Sequence, residues 1–140
     1  PAERDGEVEP ALDASGRNLG TAFQLVDDAI DYSSDDATMG KEAGDDFRDG
    51  KVTLPIILAY ARGSEADRAF WKAAMQGERN SDADLEIARR LLRESGALDD
   101  TLERARLYGR RAIDALAGFP NGKAKTALIE AVEFAVARAY

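Results

Sequence analysis

The run FQLVDDAIDY at residues 23–32 sets three carboxylates, Asp27, Asp28 and Asp31, among residues that otherwise read as the apolar face of a helix. On an α-helix their side chains fall at about 0°, 100° and 40° around the axis, so they share one side. Like charges at i,i+3 and i,i+4 destabilise a helix by about 0.2–0.5 kcal/mol per pair, and a position near a helix C-terminus is where the macrodipole disfavours anions. A bound cation offsets both costs. Two lysines bracket the acidic stretch that follows, Lys41 in MGKEAGDD and Lys51 in RDGKVTLP, each beside a glycine. Carboxylates alone point to a cation; carboxylates with lysines point to a cation and an anion together. Magnesium takes one or two carboxylates and completes its shell with water and phosphate oxygens, and lysine serves phosphate as a point charge. A magnesium diphosphate satisfies both halves. Gly40, Gly44 and Gly50 would let the loop backbone come close to such a ligand.

Composition narrows the chemistry. The chain contains neither cysteine nor histidine, which removes disulfides, thiolate nucleophiles, iron-sulfur ligation and imidazole acid/base catalysis. Of the net charge of -8, most is local: residues 27–51 hold nine Asp/Glu against three Lys/Arg. No basic stripe is present to neutralise a phosphate backbone, so nucleic acid is excluded as a partner. No apolar run reaches the roughly 18–20 residues of a membrane span. The opening PAERDGEVEP is polar and acidic, unlike a signal or transit peptide, so a cytoplasmic setting is expected. A length of 140 residues with 44% hydrophobic content suits one domain, residues 1–140.

The elements that must position these residues are all helical. Leu12, Leu19, Phe23, Val26 and Ile30 recur at helical spacing, with Pro10 suited to a first turn, which predicts a helix over about 9–34 carrying the aspartates near its end. Residues 35–50, rich in Asp and Gly, read as a loop. A second helix starts near Thr53, a candidate N-cap, with Pro55 in the first turn, and TLPIILAYA is apolar on most sides, hence expected to be buried. Ser64 with Asp67, and Ser81 with Asp84, have the capping pattern of two more helices, ending near Gly77 and Gly96. A fifth is expected over about 99–117, stopped by GFPNG. A sixth, over about 122–139, turns Leu128, Val132, Ala135 and Val136 to the core. With no strand-like alternation the fold class is all-α, a helical bundle.

The segments GTAFQLVDDAIDY and GKEAGDDFRDGKVTLP resemble the second aspartate-rich motif and following loop of the trans-polyprenyl diphosphate synthases, the long-chain octaprenyl and decaprenyl enzymes above all. FQxxDDxxD, GK, GDDF, GK and TLP stand in the family's order, and ARLYGRRAIDAL and FAVARAY extend the likeness. The resemblance implies the isoprenoid synthase fold and a magnesium-dependent prenyltransferase that condenses an allylic diphosphate with isopentenyl diphosphate, working as a homodimer. It implies that Asp27, Asp28 and Asp31, with Asp45, hold the metal. It further implies that Lys41 and Lys51 bind phosphate oxygens and that Phe23 and Gln24 face the reacting carbons. The family's first aspartate-rich motif, its upstream basic residues and a Lys-Thr helix have no counterpart in residues 1–22, so the chain is expected to be the C-terminal portion of such a synthase, inactive alone.

Two other readings compete. An EF-hand frame from Asp31 puts Asp31, Ser33, Asp35 and Glu42 at ligand positions 1, 3, 5 and 12, but Asp36 occupies position 6, where the loop needs glycine, which argues against a helical calcium-binding module. A noncatalytic synthase-like subunit or a terpene cyclase relative keeps the fold without the reaction, and explains GDDFRDGKVTLP less well. On periodicity alone Phe23 is a core residue, and Asp35 and Asp36 are loop charges.

Overall fold

The computed structural model describes residues 2–33 and 44–137. Among them lie seven helices and no strand: α1 (Ala2–Ser33), α2 (Asp45–Arg48), α3 (Leu54–Arg62), α4 (Glu65–Met75), α5 (Asp82–Glu94), α6 (Ala97–Asp114) and α7 (Lys123–Ala137). The all-α expectation holds, and so do the starts of α4 and α5. Ser64 and Ser81 each accept the N–H of the residue three positions on, and Asp67 and Asp84 return the bond to the cap backbone.

Two expectations are corrected, and a third, Thr53 as N-cap, holds in position without its side-chain bond. The 35–50 loop contains the single helical turn α2, closed by Arg48 N–H to Gly44 O (3.0 Å) and Asp49 N–H to Asp45 O (2.9 Å). Thr53 occupies the N-cap of α3, yet its hydroxyl makes no cap bond. Pro55 at the second helical position has no N–H to offer it, which removes one of the two donors a cap side chain reaches. Nor is α3 buried all round: Pro55, Ile56 and Ala59 face inward while Ile57 is exposed.

The helices gather into two compact units. One comprises α1 as far as Val26 and the chain from Glu103 onward; the other is Asp27–Leu102. In the first, the buried stripe of α1 is Ser15, Ala22 and Val26; of the expected line Leu12, Leu19, Phe23, Val26 and Ile30, Val26 is buried, Leu19 and Ile30 are half-buried, and Leu12 and Phe23 lie about 60° away and are exposed. Small residues win this face because another helix comes close: the Ser15 hydroxyl donates to Ala112 O of α6 at 2.8 Å. The α6–α7 contact is equally tight at Gly109, where a Cβ would sit 2.7 Å from Val136 Cγ2. Val132 and Ala135 of α7 are buried as expected, while Leu128 and Val136 are half-buried.

The second unit holds the larger core. Helices α3, α4 and α5 pack against one another, and Tyr32, Phe47, Ile56, Phe70, Trp71 and Leu92 form one cluster. Phe47 stacks on Phe70 with ring centroids 6.4 Å apart, and Phe70 meets Trp71 edge to face at 5.3 Å. Phe47 is the sole buried side chain of α2, so it pins that turn to the core and fixes where its acidic neighbours stand.

Candidate functional site

The last turns of α1 carry the aspartates, and burial separates them. Asp27 is exposed, Asp28 is 6% exposed and Asp31 is 0% exposed. A buried carboxylate must be hydrogen-bonded to persist. The Gly44–Lys51 segment supplies part of that need for Asp31: Asp46 N–H donates to the Asp31 carboxylate Oδ2 at 3.1 Å, while Gly44 N–H donates to the Asp31 backbone carbonyl at 3.0 Å. The Asp46 N–H therefore offsets part of the repulsion noted in the sequence. Gly44 can do this because its φ is +89°, a conformation that leads directly into α2. A Cβ there would lie 2.5 Å from Leu85 Cδ2. Gly44→Ala is accordingly expected to cost about 1–3 kcal/mol in urea unfolding, from left-handed strain and overpacking; an unchanged midpoint would show that the turn adapts.

Asp46, which the sequence does not distinguish from Asp45, turns out to be the connecting residue. Its carbonyl accepts the Lys51 N–H at 2.9 Å, and its carboxylate Oδ1 lies 3.9 Å from Lys51 Nζ. Asp45 instead pairs with Arg48 at 3.4 Å. Two adjacent acids in one turn diverge: the Asp45 carboxylate goes to Arg48, whereas Asp46 meets Asp31 through its backbone N–H and Lys51 through its carboxylate.

Tyr32 is the second residue missed by sequence reasoning. It is 2% exposed, and its hydroxyl has no hydrogen-bond partner among the described residues. Burial, and then the charges of Asp31, Asp46 and Asp28, push its phenol well above the usual tyrosine range, so it stays a neutral donor beside the acids. The only signal in the sequence is an aromatic residue with a polar handle directly after Asp31.

Of the other expected site residues, Phe23 and Gln24 are exposed on α1, about one turn before Asp27 and Asp28. Lys51 is exposed. Lys41 lies outside the described residues, as do Asp35, Asp36 and Glu42 of the EF-hand frame. Among the described residues no group of three or more acidic side chains is placed to hold a metal by itself. The donor set still fits a hard divalent cation, since oxygen is its only donor type and such an ion needs just one or two carboxylates when water and phosphate complete the shell.

The polyprenyl synthetase family model matches residues 2–92, which takes in α1 through most of α5. The chain belongs to the polyprenyl synthetase family. It is 39% identical over 133 residues to an octaprenyl diphosphate synthase of Haemophilus influenzae, covering 94% of this chain and 40% of that protein. A polyprenyl synthase of Caulobacter crescentus, crystallised with calcium and isoprenyl diphosphate, superposes with a TM-score of 0.86 at 48% identity, covering 93% of this chain and 40% of that one. A decaprenyl diphosphate synthase of Rhodobacter capsulatus gives 0.87 at 39% identity, covering 97% and 42%. The chain thus spans about 40% of the length of these synthases. Its helices are a part of the all-α polyprenyl synthase fold. None among the described residues is long and apolar enough to cross a membrane.

Proposed function

We propose that these 140 residues are the C-terminal portion of a single synthase domain that condenses an allylic diphosphate with isopentenyl diphosphate to give a long-chain all-trans polyprenyl diphosphate. The observation that carries this reading is the link from Asp31 through Asp46 to Lys51, which sets an acidic cation side beside an ammonium. Relatives named as octaprenyl and decaprenyl synthases support the product class.

In this reading Asp27, Asp28 and Asp31, with Asp45, hold magnesium against the substrate. The bound ion supplies Lewis-acid stabilisation of the charge that grows on diphosphate as the allylic C–O bond ionises. Lys41 and Lys51 bind the phosphate oxygens and stabilise the same charge without any proton transfer. Phe23 and Gln24 face the carbon skeleton. Burial of Asp31 keeps its carboxylate in a low-dielectric setting, where its attraction for a cation is stronger than in water. A homodimeric assembly and a cytoplasmic setting belong to the same reading, checked by sedimentation and cell fractionation of the complete synthase.

The test is a condensation assay with farnesyl diphosphate and labelled isopentenyl diphosphate. A complete synthase containing this chain is expected to elongate in magnesium and to lose most activity on chelation, while the 140 residues alone are expected to give no product. An active chelated enzyme would remove the metal from the mechanism, and turnover by the short chain would show that its one aspartate-rich motif suffices.

A further inference from the structure

We infer that Asp46 is the positioning residue for Lys51, holding that ammonium at a set place relative to Asp31. The inference deepens the diphosphate reading and rests on it. Lys51 by itself has little to keep its charge in one place, because its side chain is 54% exposed and an ammonium on a four-carbon stem samples many rotamers in water. The structure restrains it twice through one residue. Its backbone N–H donates to Asp46 O at 2.9 Å, which fixes the root of the stem, and Nζ lies 3.9 Å from Asp46 Oδ1, which holds the head. Asp46 is itself restrained. Its side chain is 20% exposed, its N–H donates to Asp31 Oδ2 at 3.1 Å, and its neighbour Phe47 is locked in the core. One acid therefore joins the buried carboxylate of α1 to the exposed ammonium.

The carboxylate has a second effect. A bare Asp46 beside the anion site would repel an incoming diphosphate, and with Lys51 drawn to it that charge is balanced. Removing the acid releases Lys51 to solvent, so the ordering that Asp46 now supplies must be provided by the ligand on binding. Asp46 acts through Lys51 and touches no substrate itself.

The experiment is a double-mutant cycle in a complete synthase containing this chain, titrated calorimetrically with inorganic diphosphate in magnesium, with urea unfolding of each variant alongside. Asp46→Asn is expected to weaken binding about fivefold to tenfold, and Lys51→Ala by more; adding Asp46→Asn to Lys51→Ala is expected to cost nothing further and to regain part of the loss, because it removes the carboxylate left bare beside the anion site. A structural role would instead lower the urea midpoint and add its full effect in the double variant. Asp46→Glu, which restores the charge, is expected to recover most of the affinity even where Asp46→Asn folds poorly. Binding that depends on Lys51 but is indifferent to Asp46, or fully additive losses, would overturn this inference alone. A wild-type synthase that binds no diphosphate, or binds it equally well without Lys51, would overturn the diphosphate reading and this inference with it.

Discussion

Asp27→Asn in a complete synthase containing this chain is expected to lower magnesium-dependent turnover by about 10²-fold while leaving the fold intact. Asn keeps the shape of Asp and removes one charge. Asp27 is exposed on α1, unlike Asp31, so the substitution breaks into no buried arrangement, and stability should change by less than about 0.5 kcal/mol. The same variant separates the synthase from a calcium-binding module, because the two readings share Asp31 and disagree about Asp27 and Glu42. In a synthase Glu42→Gln should matter little. In an EF-hand it removes the bidentate ligand at position 12 and Asp27→Asn is harmless. The measurement is a pair of titrations, calcium alone and magnesium with diphosphate, on wild type and both variants. Weak binding of either ion alone and stronger binding with diphosphate is the expected pattern. Tight calcium binding that Glu42→Gln abolishes and Asp27→Asn spares would reverse the assignment.

The second large effect is at Lys51. In the complete enzyme Lys51→Ala is expected to weaken diphosphate binding and to slow ionisation, for a combined loss in kcat/KM of about 10²–10³-fold. Loss of an ammonium that binds ground state and transition state equally would raise KM and leave kcat unchanged. Loss of one needed where anionic charge develops lowers kcat as well, so the split between the two parameters reports which role Lys51 has. Lys51→Arg is expected to recover only part of the loss, because a broad planar fork does not reproduce a compact ammonium held by Asp46. Kinetics unchanged in both variants would make Lys51 a surface residue.

Much of the architecture was legible in the sequence because it depends on neighbours a few residues away. The capping boxes at Ser64–Asp67 and Ser81–Asp84 start helices where they were expected, since a cap is a bond across three residues of one chain. The all-α class followed from helical periodicity, and the family from FQxxDDxxD and GDDFRDGKVTLP, which need only order and spacing. The crowding of three acids at a helix end was also visible in the sequence.

Tertiary structure decided the rest, wherever the outcome depends on an element distant in sequence. Periodicity locates an apolar stripe but not which small residues a partner helix will press against, so Ser15 and Ala22 are buried and Leu12 and Phe23 are not. Asp27, Asp28 and Asp31 look alike in the sequence, yet Asp28 and Asp31 are buried and Asp27 is exposed, and it is onto Asp31 that Gly44 and the turn after it fold back. Asp45 and Asp46 differ by one place in the chain. Gly44 at φ +89° and Phe47 in the core together send one to Arg48 and the other to Asp31 and Lys51, because a turn pinned at both ends leaves adjacent side chains no choice of direction.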